Sequence, residues 1–185
     1  MAIRTTLTLG AALVATLAGF VSLDAQRAPA IPAPAKTRIG VFDSRMVALA
    51  YYNSEPQRAA MQQMAAELKT AKAAGDEAKI QALQFQGPAL QNLMHYQVFS
   101  TASIPNVMEK LGPTLPQVAE RNGVALIVSK WDVSYQRDDV ERVDVTDELV
   151  RQFAPNEKVQ TWIAEGAAKP PVPLLELVKT MRPDR

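Results

Sequence analysis

The chain of 185 residues contains no cysteine and a single histidine, His95. Without cysteine it forms no disulfide and offers neither a thiol nucleophile nor a thiolate metal site. One histidine alone cannot build the usual zinc ligand sets. No arrangement of serine, histidine and acid suggests nucleophilic catalysis, and no glycine-rich phosphate loop is present. An excess of one charge is missing too: 20 Lys plus Arg against 19 Asp plus Glu leave a formal net charge of +1. So weak a field implies no long-range attraction to nucleic acid. Asp43, Asp132, Asp138, Asp139 and Asp144 all flank expected strands, where acids ordinarily serve turns and caps. An acidic site near Asp43 and Asp132 is the one enzymatic arrangement left. The composition otherwise describes a chain that is not an enzyme and requires neither cofactor nor metal.

What the sequence does contain is helix. Residues 53–122, roughly seventy in number, are helix-forming and lie between two apolar runs that read as strands, 39–42 and 124–128. Asn53 or Ser54 can cap the first turn, and Pro56 sits where its missing N–H costs nothing. Met61, Met64, Leu68 and Ala71 follow at heptad spacing, and Ile80, Leu83, Gly87, Leu90, Met94 and Gln97 form a second seam. Gly75-Asp76 resets the heptad phase and is the expected hairpin tip, with Asp76 capping the returning helix. Gly87-Pro88 is the alternative tip, since an interior proline costs about 3 kcal/mol in a helix. Each seam spans only about two heptads, so the arms need a body or a partner to hold them.

Around this arm the chain divides as follows. Residues 1–25 resemble an export signal, with Arg4 before a nearly uncharged run from Leu7 to Leu23 and Ala25 at the cleavage position. The apolar stretch from Thr5 is about 19 residues, long enough to remain as a membrane anchor if it is not cleaved. Residues 26–37 are a Pro/Ala-rich linker. A domain over 38–153 follows, with its helical arm at about 53–103. Its strands are expected at 38–42, at 124–131 through the middle of the body, and over Val140, Val143 and Val145, with 132–135 a continuation or a further strand. Thr146 is expected to cap a helix over 147–153. Trp131 and Tyr135 are expected in or beside the sheet. The tail, 154–185, carries a possible helix over 156–165, where Trp162 could anchor it. After a proline cluster it adds an amphipathic segment with Leu174, Leu175, Leu177 and Val178 on one side.

The two ends of the domain carry a family resemblance. Residues 38–44 (RIGVFDS) lead from a strand into a helical arm, and residues 124–129 (VALIVS), 133–135 (VSY) and 143–150 (VDVTDELV) follow it. This order resembles the Skp/OmpH family of periplasmic chaperones over about residues 38–153. The resemblance implies an α+β fold: a small antiparallel β-body with a protruding antiparallel helical hairpin, assembled as a homotrimer. It also implies an ATP-independent holdase that keeps unfolded outer-membrane or exported proteins between its arms, in the periplasm after signal cleavage. An envelope structural or adaptor protein using the same fold is the alternative. The arms depart from the family pattern by being shorter and not basic. Arg58, Lys69, Lys72 and Lys79 balance Glu55, Glu67, Asp76 and Glu77. Client would then be held by apolar contact, with Met61, Met64, Phe85, Met94, Tyr96 and Phe99 as candidates, because methionine adapts to varied surfaces. The competing role for these side chains is packing within the hairpin itself.

Overall fold

A computed structural model describes residues 36–181. The expected export signal, its anchor alternative and nearly all of the linker lie outside the described residues. Three short strands and eight helices occur among those residues. Strand β1 (Thr37–Phe42) is the middle of a sheet ordered β2-β1-β3, flanked by β2 (Ile127–Ser129) and β3 (Val140–Asp144). Both neighbours run parallel to it, with Gly40 opposite Ile127 on one side and Val143 on the other.

This corrects the expected antiparallel β-body. The strands β2 and β3 do not pair as a hairpin, because β1 lies between them. Residues 130–139 form no strand and carry the chain from one edge of the sheet to the other. Ten extended residues reach about 33 Å, ample for a path that crosses two strand spacings, about 10 Å, and also returns from the Phe42 end of β1 to its Thr37 end, about 17 Å. The strand expected at 124–131 is also shorter and lies at the edge. Its first residues still meet β1: Ala125 N–H donates to the Arg38 carbonyl at 2.9 Å, and Gly40 N–H donates to the Leu126 carbonyl at 2.8 Å. Gly40 permits this approach. A Cβ there would lie 3.1 Å from Ile127 Cγ1 and 3.2 Å from Val124 Cγ2.

Helix α1 (Ser44–Tyr52) leaves β1 through Asp43, whose carboxylate accepts from Arg45 N–H. Met46, Val47, Ala48 and Ala50 of α1 are buried. They form one core with Phe42, Val98, Ile104, Val107, Leu111, Val118, Val145 and Leu149. The last residues come from the elements that follow the arm: α4 (Pro105–Leu111), α5 (Leu115–Asn122) and α6 (Thr146–Arg151). Gly123 ends α5 in the left-handed conformation, at φ 58°. Thr146 does not cap α6 as expected. It is the helix's first residue, and its hydroxyl accepts from Asp43 N–H at 2.9 Å, tying α6 to the end of β1.

The arm is a helical hairpin of α2 (Glu55–Ala74) and α3 (Glu77–Phe99). The tip is at Gly75, which adopts φ 68°, a conformation glycine enters without a Cβ penalty. Asp76 then accepts from Lys79 N–H at 3.0 Å and caps α3. Pro88 lies inside α3, and the helix continues through it. Ser54 precedes α2 without a side-chain cap bond, and Asn53 instead donates to the Leu49 carbonyl at the end of α1. From residue 55 to residue 96 Ala71 alone is buried, so the hairpin carries only a thin seam of its own.

Helices α7 (Glu157–Ala167) and α8 (Leu174–Thr180) form the tail. Asn156 caps α7 by accepting from Val159 N–H at 3.0 Å. Gly166 of α7 lies against the Met46 side chain, within 3.0 Å of where its own Cβ would be. The apolar side expected on α8 is only partly used: Leu177 is buried, while Leu174 and Leu175 are exposed.

Candidate functional site

Two features stand apart from the core: a buried charge cluster at the end of the sheet, and an apolar track along the arm. The cluster is built on Asp43, which is 3% exposed. Arg45 donates to it through Nε at 3.1 Å and Nη2 at 2.8 Å, and Lys130 Nζ lies 2.8 Å from Oδ2. Trp131 Nε1 donates to Oδ1 at 3.3 Å, and the Trp131 ring lies within 5.1 Å of the Arg45 guanidinium and 4.6 Å of the Lys130 ammonium. Burial alone would raise the pKa of Asp43, but hydrogen bonds and charge from Arg45 and Lys130 outweigh it and hold the value below normal. A carboxylate kept ionised and surrounded by donors is a poor general base.

Of the other acids named from sequence, Asp144 lines a cleft of about 590 Å³ together with Asp43 and Lys130, and none makes a direct contact with the cluster. Asp132 and Asp138 are exposed, Asp139 pairs with Arg137, and Asp144 accepts from Thr146 N–H at 2.8 Å. Among the described residues no group of three or more His, Asp or Glu could hold a metal. Tyr135, expected near the sheet, is 82% exposed, whereas Trp131 is half-buried in the charge cluster. The acidic arrangement near Asp43 and Asp132 therefore has no geometry to support it.

The apolar track begins in a groove between α2 and α3, about 470 Å³ in volume. Met61, Gly87, Pro88, Leu90 and Met94 line it, together with Tyr52 at its base. A second cleft of about 500 Å³ lies where the root of the hairpin meets the tail. Met94, Val98 and Phe99 form one side of it, and Trp162, Lys169 and Val172 face them. Tyr52 and Met94 line both spaces, so the two open onto a shared wall.

The six candidate side chains are distributed unevenly over this surface. Met61 and Met94 meet in the arm groove, and Met94 and Phe99 meet in the root cleft. Phe85 lines neither and is 79% exposed. Met64 and Tyr96 are half-buried and line neither space. His95 is half-buried in the wall of the root cleft, its ring 5.7 Å from that of Phe99. Leu90, on the second heptad seam, also belongs to the track, as do Tyr52 and Val172, which carry no pattern that marks them in the sequence. One signal was available: residues 80–108 contain no Asp, Glu, Lys or Arg. A solvent-facing helix without charge is unusual, because the face away from a core is normally charged or polar.

Comparisons of the chain with protein-family models, with curated proteins and with solved structures find no match.

Proposed function

We propose that this protein is an exported, ATP-independent holdase of Skp/OmpH type that keeps unfolded polypeptides in solution on the arm formed by α2 and α3. The observation that carries this reading is the uncharged stretch 80–99 of helix α3, which exposes Phe85, Leu93 and Phe99 to solvent. Such a surface gains by covering apolar area, about 25 cal/mol for each Å² removed from water. It has no charge with which to select one partner by electrostatic complementarity. Tolerance of many apolar segments follows, and the flexible thioethers of Met61 and Met94 suit it.

Self-assembly into a homotrimer is part of the proposal. A three-stranded sheet leaves β2 and β3 as edges, and open strand edges are ordinarily covered. The test is dilution of a urea-unfolded β-barrel protein into buffer with and without the purified protein. Delay of aggregation by the protein, lost on Met94→Lys together with Phe99→Lys, is the expected result. Aggregation at the same rate with and without the protein would remove the proposal.

A second reading, an envelope adaptor, is favoured by one contact. Val172 N–H of the tail donates to the Phe99 carbonyl at 2.8 Å, so the tail already occupies part of the arm's root. Crosslinking in cells separates the two. An adaptor returns one constant folded partner, and a holdase returns many unfolded precursors.

A further inference from the structure

Phe99 is the last residue of α3, and its carbonyl is one of the acceptors that a helix end leaves without an intrahelical partner. The tail supplies the partner, Val172 N–H, at 2.8 Å. Pro170, Pro171 and Pro173 have no N–H, so Val172 carries the only backbone donor of residues 170–173. The stretch 170–175 (PPVPLL) is uncharged, and its first four residues belong to neither helix nor strand. Pro170 and Val172 line the root cleft together with Met94, Val98 and Phe99. Helix α8 then packs against α3 with Leu177 buried. Its charged residues Glu176 and Lys179 pair with each other at 2.9 Å and not with the arm.

The two halves of the tail are held unequally. Up to Lys169 it is built into the body: Val159 is buried, Gly166 lies against Met46, and the Lys169 carbonyl accepts from Arg45 Nη1 at 3.0 Å. Beyond Lys169 the hold is slighter. Among the described residues, one hydrogen bond joins this part to the rest of the protein, and Leu177 is its one buried large side chain. Leu177 is not part of the core.

We infer that residues 170–181 are a strap that occupies the root of the arm in place of a client and is displaced by one. The inference rests on the holdase reading and gives it a regulation. An extended apolar stretch of unfolded chain offers what the strap offers: a backbone N–H for the Phe99 carbonyl, and aliphatic side chains for Met94 and Phe99. The strap competes from within the same molecule, at the high effective concentration that a short tether gives. Only segments apolar enough to outdo it gain the cleft, and a folded protein, whose backbone donors are already paired, does not.

The test follows strap and client separately in the full chain. Hydrogen exchange at the Val172 amide reads strap closure, and delay of aggregation of a urea-unfolded β-barrel protein reads client binding. Leu177→Ser removes the strap's anchor, and Leu175→Ser makes the same change at a side chain that is 75% exposed. We expect Val172 exchange to accelerate several-fold in Leu177→Ser, and in the parent when client is added, and to keep the parent rate in Leu175→Ser. Leu177→Ser should then delay aggregation at a several-fold lower concentration than the parent or Leu175→Ser. A parent strap that client leaves closed, a Val172 rate unchanged by Leu177→Ser, or an open strap with no gain in client protection would overturn the inference. An equal gain in Leu175→Ser would do the same. Each of these leaves the holdase reading standing if the parent delays aggregation. Failure of all three chains to delay it would remove that reading, and the strap's role with it.

Discussion

Lys130 Nζ lies 2.8 Å from Asp43 Oδ2, joining the segment after β2 to the residue that opens α1. Arg45 extends the same cluster to the tail, donating through Nη1 to the Lys169 carbonyl at 3.0 Å. The end of the sheet, the start of α1 and, through Arg45, the tail are thus joined around a single carboxylate.

Removing that carboxylate should be costly. Asp43→Ala leaves the Arg45 side chain, 4% exposed, without its partner, and breaking a buried pair costs about 3–5 kcal/mol. The pH dependence follows from the lowered pKa. Unfolded, the carboxyl takes up its proton near its ordinary value, about pH 4; folded, it resists protonation until lower pH. The contribution is therefore complete at neutral pH and disappears as pH falls through the depressed folded value. Asp43→Asn should be less stable than the parent at neutral pH and should lose less of its remaining stability on acidification. Urea titrations at a series of pH values check both.

The same substitution should have unequal effects at two glycines. Gly40→Ala places a methyl group 3.1 Å from Ile127 and 3.2 Å from Val124 in the middle of the sheet, and overpacking of this kind costs about 1–3 kcal/mol. Gly87→Ala meets no atom beyond its chain neighbours, but Pro88 follows it, and a proline ring crowds the Cβ of a helical residue before it. That strain offsets the gain of about 0.5–1 kcal/mol in helix propensity, and the net change should be small. Thermal unfolding of the two variants gives the difference directly.

One buried amide ties the root of the hairpin to the body, beside the packing of Val98 in the core. Gln97 accepts from Tyr52 O–H at 2.7 Å and donates to the Ser103 carbonyl at 2.9 Å and to Asn106 Oδ1 at 2.7 Å. Gln97→Leu keeps the bulk and strands these partners, each at about 1–3 kcal/mol if it stays dry. Hydrogen exchange should then accelerate at the hairpin root and the start of α4, while the tip near Gly75 keeps its parent rate.

Much of the arm could be read from the residues. A left-handed position at Gly75 and a cap at Asp76 are local matters, and heptad phase identifies the seam. The sheet could not be read in the same way. Residues 38–42 and 124–128 have strand composition, but pairing direction depends on where residues 130–139 take the chain. Those residues have no periodicity to reveal a crossing over β1. The Asp43 cluster was hidden for a similar reason, because Asp43 and Lys130 are brought together only by β1 and β2. The arm groove was half visible. Met61 and Met94 fall on the two seams, whereas their opening to solvent depends on the thinness of a hairpin whose helices meet at few large side chains. Leu174 and Leu175 have the spacing of a docked face and yet remain exposed, because α8 turns Leu177 and, in part, Val178 inward.

The most direct test of the central claim is the native mass of the purified protein by light scattering, alone and after addition of one unfolded β-barrel protein per assembly. The account predicts a trimer that gains the mass of one client, with uptake only weakly sensitive to salt because residues 80–99 of α3 carry no charge for salt to screen. A protein whose mass does not change on addition of client would contradict it.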